Sequence, residues 1–173
     1  MRNLILCFIL VISINLYAQE ETPDSILNNE VKLNAGYLLA GYPELAYERI
    51  INDESAVGIS GGFCINEGET IGFLSYYKYS LVPYYRIYFG KKRATGFFIE
   101  GNGILFSQDY YNYTNNERSN YIGFGLGIAI GVKFITSSGW IGELYGGGGR
   151  NFINEDKISG GYPRLGVTIG KRF

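Results

Sequence analysis

IGFGLGIAIGVKF, residues 122 to 134, alternates bulk with near-emptiness. Ile122, Phe124, Leu126, Ile128, Ile130, Val132 and Phe134 are large and apolar. Between them stand Gly123, Gly125, Gly127, Ala129, Gly131 and Lys133. A period of two is that of a strand, here with one apolar face and one almost bare face. A strand on the surface of a soluble protein would carry Lys, Glu, Thr or Asn on its wet face instead of four glycines. Lipid against the apolar face and a crowded barrel lumen against the small one account for both features together.

Working outward, the 173 residues amount to one domain with a short leader. Net charge is −1, so there is no basic excess to neutralise phosphates, and no nucleic-acid partner is expected. The 25 glycines have no period of three, which excludes collagen, and a 46 % hydrophobic chain does not fit disorder. Residues 1–18 have the pattern of a signal peptide: Arg2, then the apolar run Leu4 to Leu16, then Tyr17-Ala18 before Gln19. That run is too short for a membrane anchor, and Cys7 lies inside it, unlike the cysteine of a lipoprotein. Past this segment Cys64 is the only cysteine, so no intrachain disulfide is expected. No later run of about 18 apolar residues could span a membrane as a helix, so a membrane reading must rest on strands.

Residues 19–29 are polar and acidic, expected as a short periplasmic leader, and the barrel is expected over 30–173. Alternation and turn residues predict eight strands. The first runs from Glu30 to Leu39, ended by Gly41-Tyr42-Pro43. Next come Glu44–Ile51, Ser55–Cys64 and a strand within 71–89 whose Pro83 predicts a local bulge. The fifth follows the basic turn Gly90–Thr95, the opening stretch is the sixth, the seventh starts at Trp140, and the eighth is the chain end. Residues 107–119 are expected as a long polar connection, and Gly146–Gly149 are expected to open another reaching about Gly160. Tyr110, Tyr111 and Tyr113 are expected at an aromatic belt or a loop tip. The reading is an all-β protein: an eight-stranded antiparallel up-and-down transmembrane β-barrel, about 9 to 11 residues per strand, its short turns facing the periplasm.

Several stretches resemble a known family. Val31-Lys32-Leu33-Asn34 through Leu45-Ala46-Tyr47-Glu48-Arg49, then Asn52-Asp53 and Val57-Gly58, resemble the opening of a family of small Gram-negative outer-membrane β-barrels classed as a domain of unknown function. So do Val82-Pro83-Tyr84-Tyr85-Arg86-Ile87-Tyr88-Phe89 running into Gly96-Phe97-Phe98, and Pro163-Arg164-Leu165-Gly166 through Gly170-Lys171-Arg172-Phe173. The resemblance implies a barrel similar to the OmpA and OmpX membrane domains, and it implies no activity. Val167, Ile169 and the terminal Phe173 also resemble the signal read by the barrel-assembly machinery, with Lys171 departing from its usual apolar residue.

No histidine occurs in the chain, which removes Ser-His triads and histidine metal sites; no enzyme activity, cofactor or metal is expected. Gly146–Gly149 followed by Arg150 lacks the Lys-Ser/Thr of a phosphate loop. Glu48, Arg86, Glu100, Glu143 and Arg164 fall on inward faces near mid-strand, with Lys32 and Lys133 expected nearer the ends. An interior only wide enough for side chains cannot hold them unpaired, so a Glu/Arg network that plugs the lumen is expected. The glycines of 122–134 are expected to make room for Arg86, Arg164, Tyr84, Tyr88 and Tyr145. The functional expectation is a monomeric structural or interaction barrel of the cell outer membrane, with lipid and the assembly machinery as partners. Loops 107–119 and 148–160 would be offered to an extracellular partner. The alternatives are a narrow pore or small-solute transporter, and a soluble exported barrel that binds an apolar ligand.

Overall fold

A computed structural model describes residues 27–65, 77–112, 117–154 and 158–173, with side chains described for these except 109–118. The expected signal peptide, most of the leader, residues 71–76 of the expected fourth strand, and Tyr113 lie outside the described residues. Eight strands form a closed antiparallel barrel: β1 (Asn29–Asn34), β2 (Glu44–Asn52), β3 (Ser55–Phe63), β4 (Tyr77–Tyr88), β5 (Gly96–Asn112), β6 (Glu117–Ile135), β7 (Trp140–Asn151) and β8 (Gly161–Arg172). Each pairs with the next in sequence, and β8 returns to β1 with Glu30 opposite Arg172 and Asn34 opposite Thr168.

Side chains alternate as a period of two requires. On β4, Leu81, Pro83, Tyr85 and Ile87 are exposed while Val82, Tyr84, Arg86 and Tyr88 are buried. On β8, Leu165, Val167 and Ile169 point out, and Arg164, Gly166, Thr168 and Gly170 point in. The barrel therefore turns most of its large aliphatic side chains outward and shares its interior between charges and aromatic rings.

Four features differ from the sequence reading. The first strand stops at Asn34 instead of Leu39, and Ala35–Leu39 form a short helix, α1. Asn34 caps it by accepting a hydrogen bond from the Tyr37 amide at 3.2 Å, a preference of Asn that alternation does not reveal. Residues 107–119 are mostly strand: β5 and β6 stay paired from Gly96 opposite Lys133 to Asn112 opposite Glu117, leaving only 113–116 as the connection. Tyrosines on this stretch favour a pleated hairpin.

Gly146–Gly149 also belong to a strand, because β7 runs on to Asn151. A Cβ on Gly147 would stand 2.5 Å from the Ala129 Cα, so the glycines allow close approach of β6 instead of opening a loop. Finally, Pro83 makes no bulge. The β4–β5 ladder lapses between Leu81–Leu105 and Tyr84–Asn102, yet the register is the same on both sides. The irregularity of β4 lies at Tyr77/Tyr79 instead. Pro83 keeps its place opposite Ile59 of β3, so the missing donor is felt on the β5 side alone.

Candidate functional site: the lumen

Among the described residues, five carboxylates (Glu30, Glu44, Glu48, Glu100, Glu143) and five cations (Lys32, Arg86, Lys133, Arg164, Arg172) are buried inside the barrel. Alternation puts them there, since each sits at an inward position of its strand. They form one connected array. In its middle, Glu48 takes Lys32 at 2.6 Å, Lys133 at 2.5 Å and Arg86 at 3.1 Å, with the Tyr88 hydroxyl donating at 2.7 Å. Glu143 takes Lys32 at 2.8 Å and Arg86 at 3.0 Å, with Thr168 donating at 3.1 Å.

Towards the loop end, Glu100 joins Arg86 at 2.8 Å to Arg164 at 3.0 Å, and Arg164 reaches Glu44 at 3.2 Å. At the opposite end, Glu30 holds Lys133 at 2.8 Å and Arg172 at 2.7 Å. Aromatic rings pack the remaining space. The Arg86 guanidinium carbon lies 4.2 Å from the Phe98 ring centre and 4.6 Å from that of Tyr84. Lys133 stands 4.4 Å from the centre of Tyr88. Such multiply bonded charges are the form in which ions persist away from water.

The array brings together all five side chains singled out from the sequence: Glu48, Arg86, Glu100, Glu143 and Arg164. Lys32 and Lys133, expected nearer the ends, instead lie centrally, each touching both Glu48 and Glu143. Glu30, Glu44 and Arg172 join the array without having been singled out. The signal for them is present in the sequence, because each shares the parity of the inward residues of its strand. The carboxylates of Glu30, Glu48 and Glu143 converge to within 4.8 Å, close enough for a metal ion. Two ammonium groups already serve them: Lys32 and Lys133 each lie within ion-pair distance of all three.

The small face of β6 is filled by other residues than expected. An ideal Cβ on Gly127 would stand 2.6 Å from the Tyr162 hydroxyl oxygen. At Gly125 it would meet the Tyr162 ring at 2.7 Å, and at Gly123 it would run into the Phe106 ring. At Gly131 it would meet Phe98 at 2.6 Å and Tyr145 at 2.5 Å. Of the residues expected there, only Tyr145 comes near, through its Cβ at Gly131, while its ring lies over Gly166 of β8. Tyr84 instead overlies Gly58 of β3, and neither arginine fills a β6 glycine.

Above the charges, Tyr42, Tyr77, Val82, Ile104, Phe106, Ile158 and Tyr162 form an apolar collar at the loop end. Burial pushes the Tyr37 and Tyr42 hydroxyls up, so both stay protonated, and Tyr42 donates to Ser80 at 2.8 Å. A cavity of about 20 Å³ remains beneath, between Tyr42, Tyr77, Glu44 and Arg164. At the turn end, Arg172 donates to the carbonyls of Arg93 and Ala94 at 3.0 and 3.1 Å, drawing the 90–95 turn under the lumen. The terminal Phe173 exchanges two backbone hydrogen bonds with Asn29, at 2.8 and 3.0 Å, while Val167 and Ile169 face outward.

No family model matches the chain, and no curated protein matches it either. Among solved structures it is similar to the N-terminal β-barrel domain of Pseudomonas aeruginosa OprF, with a TM-score of 0.57 and 13 % identity, over 84 % of this chain and 97 % of that one. At that identity the likeness is one of fold alone: a closed eight-stranded antiparallel barrel.

Proposed function

We propose that this chain is a non-enzymatic outer-membrane barrel that anchors and presents its loop end, with a lumen filled by its own ion pairs. One observation carries the reading: the inversion of the usual protein pattern. Ile128 is 68 % exposed and Val167 52 %, while Glu48 and Glu100 are wholly buried. Outward apolar side chains all around a closed barrel suit acyl chains, and the closed ladder leaves few backbone groups to satisfy in lipid. The charged interior argues against a soluble barrel holding an apolar ligand. The continuous Glu–Lys–Arg array argues against an open pore, because a permeating ion would have to displace bonded partners.

In this reading residues 1–18 direct export, Phe173 with Ile169 and Val167 are read by the assembly machinery, and a monomer presents the β5–β6 hairpin and the 152–160 connection outside the cell. The test is membrane fractionation with a heat-modifiable gel shift, followed by planar-bilayer recording. Recovery in the outer membrane with a shifted band and no steady conductance is expected. A soluble periplasmic protein would end the membrane assignment, and a steady open channel would end the plugged lumen.

A further inference from the structure

The barrel wall is not uniform. β8 runs from Gly161 to Arg172, but β1 pairs with only Thr168–Arg172 of it. Above Thr168, among the described residues, no strand lies on the β1 side of β8. An edge of this kind needs its backbone groups satisfied by other means. Here side chains do so at Leu165 and Gly161. The Leu165 amide donates to the Tyr37 hydroxyl at 3.3 Å, and the Leu165 carbonyl accepts from Asn34 Nδ2 at 3.1 Å. Pro163 has no amide hydrogen to place, and the Gly161 amide donates to Ser159 at 3.4 Å.

The element covering this gap is α1, with none of its residues fully buried and Leu39 86 % exposed. Five residues are too few for a helix to hold itself. Its attachment is Asn34, which caps it, and Tyr37, whose ring packs edge-on against Tyr42 at 6.1 Å. Asn34 Nδ2 also donates to Glu44 Oε1 at 3.1 Å, and Glu44 pairs with Arg164. Tyr37, Pro163, Glu44 and Arg164 all border the same small cavity in the upper lumen.

We propose that the upper β1–β8 seam is a lateral gate: α1 is its leaf, Asn34 its pivot, and the apolar collar around Tyr42 the surface behind it. When Tyr37 releases Leu165, the upper lumen opens sideways to whatever surrounds the wall. On the membrane reading given above, that is outer-leaflet lipid, so the partner entering is an acyl chain from the bilayer. Below Asn34 the seam is ordinary backbone ladder and stays shut.

Amide hydrogen exchange on the full chain, folded in detergent micelles, tests the gate whether or not the membrane reading holds. Leu165 should exchange at least tenfold faster than Ile169, which pairs with Leu33 in the ladder. Tyr37→Phe should speed Leu165 further and leave Ile169 unchanged, with the heat-modifiable shift retained as the sign of a folded barrel. Asn34→Ala supplies a second variant if the first misfolds. In nanodiscs, a lipid carrying a spin label in its acyl chain should broaden Tyr42 and Arg164 signals more in Tyr37→Phe than in the parent. Equal exchange at Leu165 and Ile169, or no response of either readout to both substitutions, would overturn the gate.

Discussion

Tyr162 of β8 occupies the space that a side chain on Gly127 of β6 would need, its hydroxyl standing 2.6 Å from an ideal Cβ there and donating at 2.6 Å to Asn102. The two strands do not pair with each other; the ring bridges over β7. Gly127→Leu therefore has no room and should abolish the heat-modifiable folded form. Ile128→Leu, one residue away on the exposed face, should leave that form intact. Equal tolerance at the two positions would mean the faces are reversed.

Arg86 touches Glu48, Glu100 and Glu143 and stacks on Phe98 and Tyr84. Arg86→Met leaves those buried carboxylates short of a cation, and breaking a buried pair from one side costs about 3–5 kcal/mol. The urea midpoint should fall accordingly. Combining Arg86→Met with Glu100→Gln should lose less than the two single changes together, because one orphaned charge is removed with its partner. Strict additivity would mean the two side chains are independent.

Pro83 interrupts the β4–β5 ladder without shifting its register. Pro83→Val restores an amide at a position already aligned with Gly103, and should stabilise the barrel by up to about 1 kcal/mol, one net hydrogen bond. The check is a higher urea midpoint, with the restored backbone amide of that position protected from exchange. A lower midpoint would show that the ring's packing beside Gly103 outweighs the recovered bond.

Phe173 is tied by two backbone bonds to Asn29 and is itself 43 % exposed. Deleting it should lower the yield of assembled barrel in cells several-fold, while chain refolded from urea into detergent reaches the same folded band. Loss of refolding as well would assign Phe173 to stability instead of recognition.

Residues with strict alternation are legible in the sequence: Val57 and Ile59 out with Ser60 in, or Arg86 between Tyr85 and Ile87, follow from parity alone. The lumen charges are legible for the same reason, since a narrow barrel compels inward ions to meet. What parity cannot convey is depth along the axis, so it sets Lys32 and Lys133 near the ends although the shear of the strands brings both beside Glu48 and Glu143. Nor does it say which ring crosses to which glycine; Tyr162 reaches β6 only because Gly149 between them is bare. Local capping by Asn34 overrides a good strand pattern in Ala35–Leu39. At Gly146–Gly149 a composition typical of loops hides a strand pressed against its neighbour.

The buried charges are sorted by strand. Among the described side chains, β1 carries one of each sign, β2, β5 and β7 carry only carboxylates, β4, β6 and β8 carry only cations, and β3 carries none. Followed from the N-terminus, the lumen turns negative with β2 and stays so through β4, β5, β6 and β7. It reaches neutrality only when β8 delivers Arg164 and Arg172. An unclosed sheet thus carries an unbalanced negative face, and the last strand is the counterion that completes it. Assembly acquires a direction from this: every open intermediate past β1 is charged, and the finished cylinder alone is electrically silent inside.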